Sequence, residues 1–308
     1  WMIEAVRQSK LPGRISSASS QSWEKRRRSV ETFEISANSL NLSGCMRKYD
    51  YSKLQSLVPA HRGEAIEKGT VVHEMLADYY RGKIANVPHF DLIERGIEVG
   101  RRMIVETELD IADTEELIVK SFREYCMRWK DDVWIPIAVE APFSLVLHED
   151  EELRIVFNGK MDLIVENPLQ EGKRFIVDHK TGSRNKQPIS LTNQAQGYCV
   201  AGQTAYFIIN RFGFQKTLPP EKKFVRHSIQ FNRAVLDEWK YWTVYRAKMI
   251  HAYIKAGVFP PDYTQCDKWS GCEFLPICDG EPQAREWKKG ADFRVKERPE
   301  LYATDEEE

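Results

Sequence analysis

The spacing of hydrophobic residues changes near residue 134, and this change divides the chain into a helical part and a sheet-forming part. Before residue 134, apolar side chains recur every three or four positions, which is the spacing of amphipathic helices. Helices are predicted at 36–49, 64–81, 91–107 and 113–129. Ser36 and Asp113 precede the apolar positions as helix-capping side chains do, and Glu116 follows Asp113 at capping-box spacing.

After residue 134, short stretches alternate between apolar and polar residues or become uniformly apolar, which is typical of β-strands. Strands are predicted at 134–147, 153–166, 174–180, 205–210 and 224–230. A helix is predicted at 190–201 and a long amphipathic helix at 233–255. This order predicts an α/β or α+β fold with a central mixed sheet, flanked by a helical region made from both ends of the chain.

The same pattern predicts one main domain. Residues 1–32 are polar and basic and are expected to form an extension, and residues 281–308 form a C-terminal segment with an acidic tail. Between them, 33–280 is predicted to be a single domain. Its parts are a helical part at 36–131, a core at 134–231, and the long helix with a cysteine cluster at 233–280.

Charge is balanced across the chain, with 45 Lys and Arg against 46 Asp and Glu among 308 residues, so no global positive field indicates a nucleic-acid partner. No apolar stretch is long enough to cross a bilayer, and no secretory signal is recognisable. A cytoplasmic protein without a membrane partner is expected. In that reducing compartment, cysteines bind metals or lie in the core, as Cys126 and Cys199 are expected to do.

Asp178 and Lys180 are two residues apart in an apolar segment, and side chains alternate along a strand, so both point to one face. Asp162, on the preceding strand, can come beside them through antiparallel pairing. An exposed Asp–Lys pair on the surface would give the same pattern, but the apolar neighbours predict a core, where charges need a partner or a metal ion. Two carboxylates and an ammonium group suggest a hard-metal site beside a water-orienting cation.

Three further polar residues lie in predicted helices. Gln194 and Tyr198 are four residues apart and therefore share one helix face. His73 lies in an apolar helix, where a core histidine is commoner than a metal ligand. Imidazole nevertheless suits a transition metal such as Mn²⁺, so His73 is a candidate ligand.

Cys266, Cys272 and Cys278 are separated by five residues each, in a segment with a glycine, a proline and several polar residues. A bound metal ion or cluster is a better explanation than three small core side chains. Zinc and iron–sulphur clusters usually need four thiolates, and Cys45 is the best candidate for the fourth. Either group would join the N-terminal helix to the C-terminal loop and make folding depend on metal.

In their order and spacing, four motifs resemble those of the RecB-like branch of the PD-(D/E)XK nuclease superfamily: Gly69-x3-His73, Gly159-x2-Asp162, Asp178-His179-Lys180 and Gln194-x3-Tyr198. The four cysteines resemble those of its iron–sulphur members, which include the CRISPR-associated RecB-like exonucleases and the AddB nuclease domain. In those members two residues commonly separate the first two clustered cysteines, whereas five do so here, which leaves zinc open. The resemblance implies a restriction-endonuclease-like core.

The resemblance also implies roles for single residues. His73, Asp162 and Asp178 would ligate catalytic Mg²⁺ or Mn²⁺, and the backbone carbonyl of His179 would complete the shell. Lys180 would orient or polarise the attacking water. Gln194 would position Lys180 or the substrate phosphate, and Tyr198 would approach the nucleic acid. The four cysteines, Cys45, Cys266, Cys272 and Cys278, would hold a 4Fe-4S cluster.

Further candidates surround this set. Arg174, Arg184 and Lys186 are candidate phosphate contacts, with surface solubility as the alternative. Glu140, on the strand before Asp162, is a candidate for a supporting position behind the metal ligands.

The resemblance therefore implies a metal-dependent DNA nuclease, and more narrowly an exonuclease acting on single strands or DNA ends in a bacterial or phage-host setting. One alternative is a non-catalytic nucleic-acid-binding or assembly factor that docks to a helicase, integrase or recombination partner. A second is an endonuclease of the same superfamily. No oligomeric state is predicted.

Overall fold

The computed structural model describes residues 30–61, 63–106, 111–182, 191–267 and 271–296. The strands are β1 (Glu31–Ile35), β2 (Leu57–Pro59), β3 (Ile135–Glu149), β4 (Leu153–Asn167), β5 (Lys173–Thr181), β6 (Tyr206–Phe212), β7 (Phe224–Gln230) and β8 (Phe293–Val295). The α-helices are α1 (Ala37–Leu42), α2 (Met46–Tyr49), α3 (Glu64–Ile84), α4 (His89–Glu106), α5 (Ile111–Arg128), α6 (Asn193–Ala201), α7 (Pro220–Lys223), α8 (Arg233–Ala256), α9 (Leu275–Cys278) and α10 (Ala284–Asp292). A π-helical turn follows α2 at Asp50–Leu54, and 3-10 turns lie at Pro168–Gln170 and Tyr263–Gln265.

Strand β4 is the strand to which three others pair in the central six-stranded sheet. β3 runs antiparallel along one edge of β4. On the other edge, β1 pairs in parallel with residues 153–157 and β5 pairs antiparallel with residues 163–167. β6 then follows parallel to β5, and β7 follows antiparallel to β6. Residues 158–162 of β4 thus have neither β1 nor β5 beside them, because β5 diverges from β4 at this point.

Helices cover both faces of the sheet. α3, α4 and α5 contribute to one core, which includes Phe122 from α5 and Val177 from β5. α1, α6 and α8 contribute to the core on the other face, which includes Phe157, Ile176 and Trp239. β5 is therefore buried on both faces, which explains why its sequence is an uninterrupted apolar run before the charged residues begin.

A small two-stranded sheet joins the early and late parts of the described chain. β2 pairs antiparallel with β8, and Phe293 of β8 stacks on Phe274 with ring centroids 5.4 Å apart. The ring of Tyr51 also packs against Phe274, with ring centroids 5.6 Å apart. Cys272 and Cys278 pack against this small core, so the cysteine region is attached to a folded unit.

The predicted fold class is confirmed, since a central mixed sheet is flanked by helices on both faces. The five predicted strands correspond to β3, β4, β5, β6 and β7, and the helices predicted at 64–81, 91–107, 190–201 and 233–255 correspond to α3, α4, α6 and α8. Cys126 and Cys199 are fully buried, as predicted. The division of residues 33–280 into three parts stays a prediction.

Three local predictions are wrong. Glu31 and Thr32, predicted to end the polar extension, belong to β1 together with 33–35, because the free edge of β4 offers them a partner. The helix predicted at 36–49 is two helices interrupted at 43–45, although Ser36 does cap the first of them. Asp113 lies in the first turn of α5, which begins two residues earlier.

Within the described part of the chain, no helix combines the length and apolarity needed to cross a bilayer. Residues 1–29 of the predicted extension and the acidic tail lie outside the described residues.

Candidate metal centre

Three carboxylates lie in a row across β3, β4 and β5. The ladder between β3 and β4 pairs the residues on both sides of Glu140 with those on both sides of Asp162, so these two residues face each other. The ladder between β4 and β5 stops at the pair of Leu163 with Val177. Asp178 therefore lies across from Asp162, one position beyond the last pair. The strand register aligns the three residues at the divergence of β4 and β5, and donor atoms of Glu140 and Asp162 lie within 4.8 Å of each other.

The divergence also changes the hydrogen bonding of the backbone. The N–H of His179 donates to Oδ2 of Asp162 at 2.8 Å, so a side chain on β4 takes the place of a backbone partner. Asp162 is consequently held by the strand that carries Asp178. This bond fixes the two carboxylates relative to each other.

Glu140 adopts a backbone conformation that is uncommon in a strand, with φ at 52°. Non-glycine residues in this left-handed region cost about 1–3 kcal/mol and are concentrated at functional sites. The side chain is mostly buried and forms an ion pair with Lys160. The strained backbone is thus held at the position that faces Asp162.

His73 approaches the row from α3. Its Nδ1 lies 3.6 Å from Oδ2 of Asp162, and donor atoms of His73, Glu140 and Asp162 all lie within 4.8 Å of one another. Burial lowers the pKa of His73, which favours the neutral imidazole that binds metals. An imidazole and two carboxylates at this spacing form a donor set suited to a divalent ion such as Mn²⁺.

Burial governs the electrostatics of the row. Asp178 is only 2% exposed. Burial raises the pKa of Asp178 to about 6 and the pKa of Asp162 to about 6, each from an ordinary value of 3.8. The proximity of Asp162 raises the pKa of Asp178 further, while Lys180 opposes the shift. A bound cation would relieve the cost of two buried carboxylates so close together.

Lys180 and Gln194 complete a hydrogen-bonded triangle with Asp178. The Lys180 ammonium lies 2.7 Å from Oδ2 of Asp178, and it donates to Oε1 of Gln194 at 3.0 Å. The Gln194 amide nitrogen donates to Oδ1 of Asp178 at 2.8 Å. Thr192 caps α6 by accepting from the Ala195 N–H, which fixes the helix that carries Gln194. Gln194 therefore positions both Lys180 and Asp178.

The remaining predicted nucleic-acid contacts lie in different places. Tyr198 is 8% exposed and packs edge-to-face against Phe143, with ring centroids 5.3 Å apart. Arg174 lies at the opposite end of β5 from Lys180, about 20 Å away at the rise of a strand, so it is not part of the centre. Arg184 and Lys186 lie outside the described residues.

The four predicted cysteines line one small pocket. Cys45, Cys266, Cys272 and Cys278 all contribute to its wall, together with apolar side chains such as Phe274. All four are free thiols. The Asp262 N–H donates to Sγ of Cys45 at 3.3 Å, and the Cys272 N–H donates to the Cys266 carbonyl at 2.7 Å. The fold therefore brings the distant Cys45 to the C-terminal cluster.

A sequence model of the PD-(D/E)XK nuclease superfamily matches residues 34–279, a span that includes the carboxylate row and all four cysteines. The chain belongs to the PD-(D/E)XK nuclease superfamily. Nucleases of this superfamily hydrolyse phosphodiesters and use divalent metals, so the predicted nuclease class and the need for a metal are confirmed at this level. The iron–sulphur RecB-like branch stays a prediction.

Two solved structures are similar to this PD-(D/E)XK chain. SSO0001 has 13% sequence identity and a TM-score of 0.37, covering 80% of this chain and 85% of its own. A protein from Eubacterium rectale, provisionally named an exonuclease, has 14% identity and a TM-score of 0.47, covering 80% of this chain and 94% of its own. No curated protein sequence matches the chain.

Glu140 lies closer to the candidate ligands than its place in the sequence predicts. The structure places its carboxylate among the donor atoms beside Asp162 and not behind them. A glutamate inside the apolar strand β3 is the sequence signal that could have found it, because a charge there needs a partner.

Proposed function

We propose that this nuclease is a divalent-metal-dependent exonuclease that hydrolyses phosphodiesters in single-stranded DNA or at DNA ends. The observation that carries the proposal is the meeting of Glu140, Asp162 and Asp178 with His73 and Lys180 at the divergence of β4 and β5. Carboxylate oxygens, one imidazole and a nearby ammonium match what metal-assisted phosphodiester hydrolysis requires.

In the proposed mechanism, Asp162 is the shared ligand between two groups of donors. His73, Glu140 and Asp162 form one group on the α3 side. Asp178, Asp162 and the backbone carbonyl of His179 would form the other. When held by these residues, Mg²⁺ or Mn²⁺ would make a water more acidic and would offset negative charge on the phosphate. The two aspartates must be deprotonated to act as ligands, and their raised pKa values make that step depend on pH near 6.

Lys180 is the proposed electrostatic partner of the reaction. Half of its side chain is exposed while its ammonium stays bonded to the buried Asp178, so one end of the pair faces the substrate side. A cation fixed there stabilises the developing negative charge and orients the attacking water. Gln194 keeps the ammonium in place through its side-chain oxygen.

Fewer observations support the proposed DNA contacts than support the proposed metal ligands. Tyr198 is mostly buried, so its proposed contact with DNA is limited to its exposed edge, and its ring supports Phe143. Arg184 and Lys186 precede α6 in the chain and remain proposed phosphate contacts. A local basic contact of this kind suits a chain with balanced overall charge.

We propose that Cys45, Cys266, Cys272 and Cys278 hold a 4Fe-4S cluster in a structural role. Four thiolates suit either a tetrahedral zinc ion or a 4Fe-4S cluster, and the pocket that all four cysteines line supports one shared group. The resemblance to the iron–sulphur members of the superfamily favours the cluster, with zinc as the alternative.

Linear and circular DNA distinguish the proposed activity from its alternatives. In Mn²⁺, an end-labelled single strand should be shortened while a covalently closed single-stranded circle of the same sequence should persist. EDTA should stop the reaction. Cleavage of the circle would instead indicate an endonuclease, and a mobility shift without cleavage would indicate a non-catalytic binding factor.

Replacing Cys272 by serine should remove the visible absorption band of anaerobically purified protein and lower its thermal midpoint. A lost thiolate leaves the cluster without a ligand, and the pocket ties Cys45 to the C-terminal segment. Cys199→Ser is the matched control, because Cys199 is buried in the other core and should leave the absorption unchanged. A colourless wild-type protein with bound zinc would contradict the cluster assignment.

A further inference from the structure

A buried polar network lies behind the metal centre, on the α3 side of β5. The His179 side chain is 2% exposed and points away from Asp178, because adjacent strand residues face opposite ways. Its ring stacks on Tyr80, with centroids 5.8 Å apart and planes 13° apart. The network therefore begins at the residue whose peptide borders the carboxylate row.

Asn210 is the central member of the network and is fully buried. Its amide nitrogen donates to His179 Nδ1 at 2.8 Å and to the Tyr125 hydroxyl at 2.8 Å. The Tyr125 and Tyr80 hydroxyls are 2.7 Å apart, so the ring that stacks on His179 is tied into the same chain of bonds. The Asn210 side-chain oxygen is buried without a hydrogen-bond partner among the described residues, so the amide is held through its nitrogen alone.

Arg226 closes the far end of the network. Its guanidinium lies between the rings of Trp129 and Trp134, at 3.6 Å and 3.5 Å from their centroids, and it pairs with Asp132 at 2.7 Å. It also donates to the Tyr80 hydroxyl at 3.4 Å. The two indole faces and the carboxylate fix this cation, so Tyr80 is held from behind.

The network compensates for a missing strand partner. β4 no longer pairs with β5 beyond Val177, so the peptide of His179 lacks the β4 backbone on that edge. What remains there is the bond from the His179 N–H to Asp162. On the other edge, β6 aligns Asn210 with His179, so the Asn210 amide lies within hydrogen-bonding distance of the His179 imidazole.

We propose that Asn210 and Tyr125 are positioning residues of the metal centre. They hold the His179 imidazole, and through it the His179 peptide, at the place where its N–H fixes Asp162. The spacing of Asp162 and Asp178, and hence the affinity for a divalent metal, depends on this anchor. The inference rests on the proposed function because it assumes that the two aspartates bind metal.

Calorimetric titration of DNA-free protein with Mn²⁺ tests the inference. Asn210→Leu should raise the Kd for Mn²⁺ by about tenfold to a hundredfold, as loss of residues that orient metal ligands commonly does. Tyr125→Phe should shift the Kd in the same direction by less, since it removes one bond to Asn210. Cleavage by both variants should recover at high Mn²⁺ concentration.

Ile208→Ala is the matched control. Ile208 lies on the same strand and the same face as Asn210 and is buried, but it belongs to the apolar core. The control should lower the thermal midpoint and leave the Kd for Mn²⁺ unchanged. If Asn210→Leu does not fold, Tyr125→Phe decides the question.

The two proposals fail in different ways. Wild-type protein that binds no Mn²⁺ would overturn the proposed function and this inference together. Wild-type protein that binds Mn²⁺, with folded Asn210→Leu or Tyr125→Phe binding it within twofold of the same Kd, would overturn the positioning role alone. A lower thermal midpoint with an unchanged Kd for Mn²⁺ would also overturn the positioning role, because it would show that the network only stabilises the fold.

Discussion

Asp162→Asn is expected to abolish cleavage and, in metal-free protein at neutral pH, to raise the free energy of unfolding. Asp162 is the carboxylate common to both proposed groups of metal ligands, and a metal ion contributes several kcal/mol to the stabilisation of the transition state. The cleavage rate should therefore fall by about 10³-fold or more, since each factor of ten in rate corresponds to 1.36 kcal/mol. Asparagine keeps an oxygen that can accept from the His179 N–H, so the local structure should persist.

The effect on stability follows from the pKa values. The pKa of Asp162 and the pKa of Asp178 are about 6 in the folded protein, above the ordinary 3.8. Between pH 4 and pH 6 the folded state binds more protons than the unfolded state, so the free energy of unfolding falls as pH rises. At pH 7 the full cost is present, and removing one charge should recover about 1–3 kcal/mol.

Thermal unfolding in EDTA at pH 4, 6 and 7 measures this effect. The variant should exceed the wild type in thermal midpoint at pH 7, and the difference should shrink towards pH 4. Mn²⁺ should stabilise the wild type more than the variant, since ligand binding to the folded state adds stability. Asp237→Asn, an exposed carboxylate in a surface pair with Arg233, should change neither property. A variant less stable than the wild type at pH 7 in EDTA would contradict this account of the centre.

Lys180→Ala should lower kcat by about 10²–10³ while leaving the fold intact, which is the usual cost of losing one fixed electrostatic contact to the transition state. The side chain is half exposed, so little packing is lost. Its loss also removes the cation that lowers the pKa of Asp178, so the variant should need a higher pH to bind metal.

Lys173→Ala is the matched control for this substitution, because Lys173 is a partly exposed lysine at the other end of the same strand. Cleavage rates of both variants on one labelled single strand, at several Mn²⁺ concentrations, separate an effect on chemistry from an effect on metal binding. Full activity of purified Lys180→Ala would show that this lysine does not stabilise the transition state.

Local pattern was sufficient for most of the secondary structure and for the pairing of Asp178 with Lys180. The period of two along β5 places both on one face whatever the rest of the fold does, and their charged groups lie 2.7 Å apart. β1 was missed because its five residues carry two glutamates and show a weak strand pattern. It forms beside the free edge of β4, and no local pattern reveals that edge.

The environment of His73 needed the packed structure. The sequence shows a histidine on an apolar helix, which is compatible with an ordinary core residue. The approach of α3 to the sheet brings its Nδ1 to 3.6 Å from Asp162. Glu140 likewise gained its position from strand register and from a strained backbone, neither of which the residue types predict.

By itself, the sequence determined the identity and order of the chemical groups: carboxylates at 162 and 178, a lysine two residues on, and four cysteines able to share one site. Periodicity sets which side of an element a residue occupies, so these features can be read locally. Only the tertiary structure decided that β5 diverges from β4 after Val177, that Glu140 faces Asp162, and that Asn210 donates a hydrogen bond to His179. Those contacts join residues far apart in sequence, and they depend on the register and divergence of strands, which the whole sheet sets.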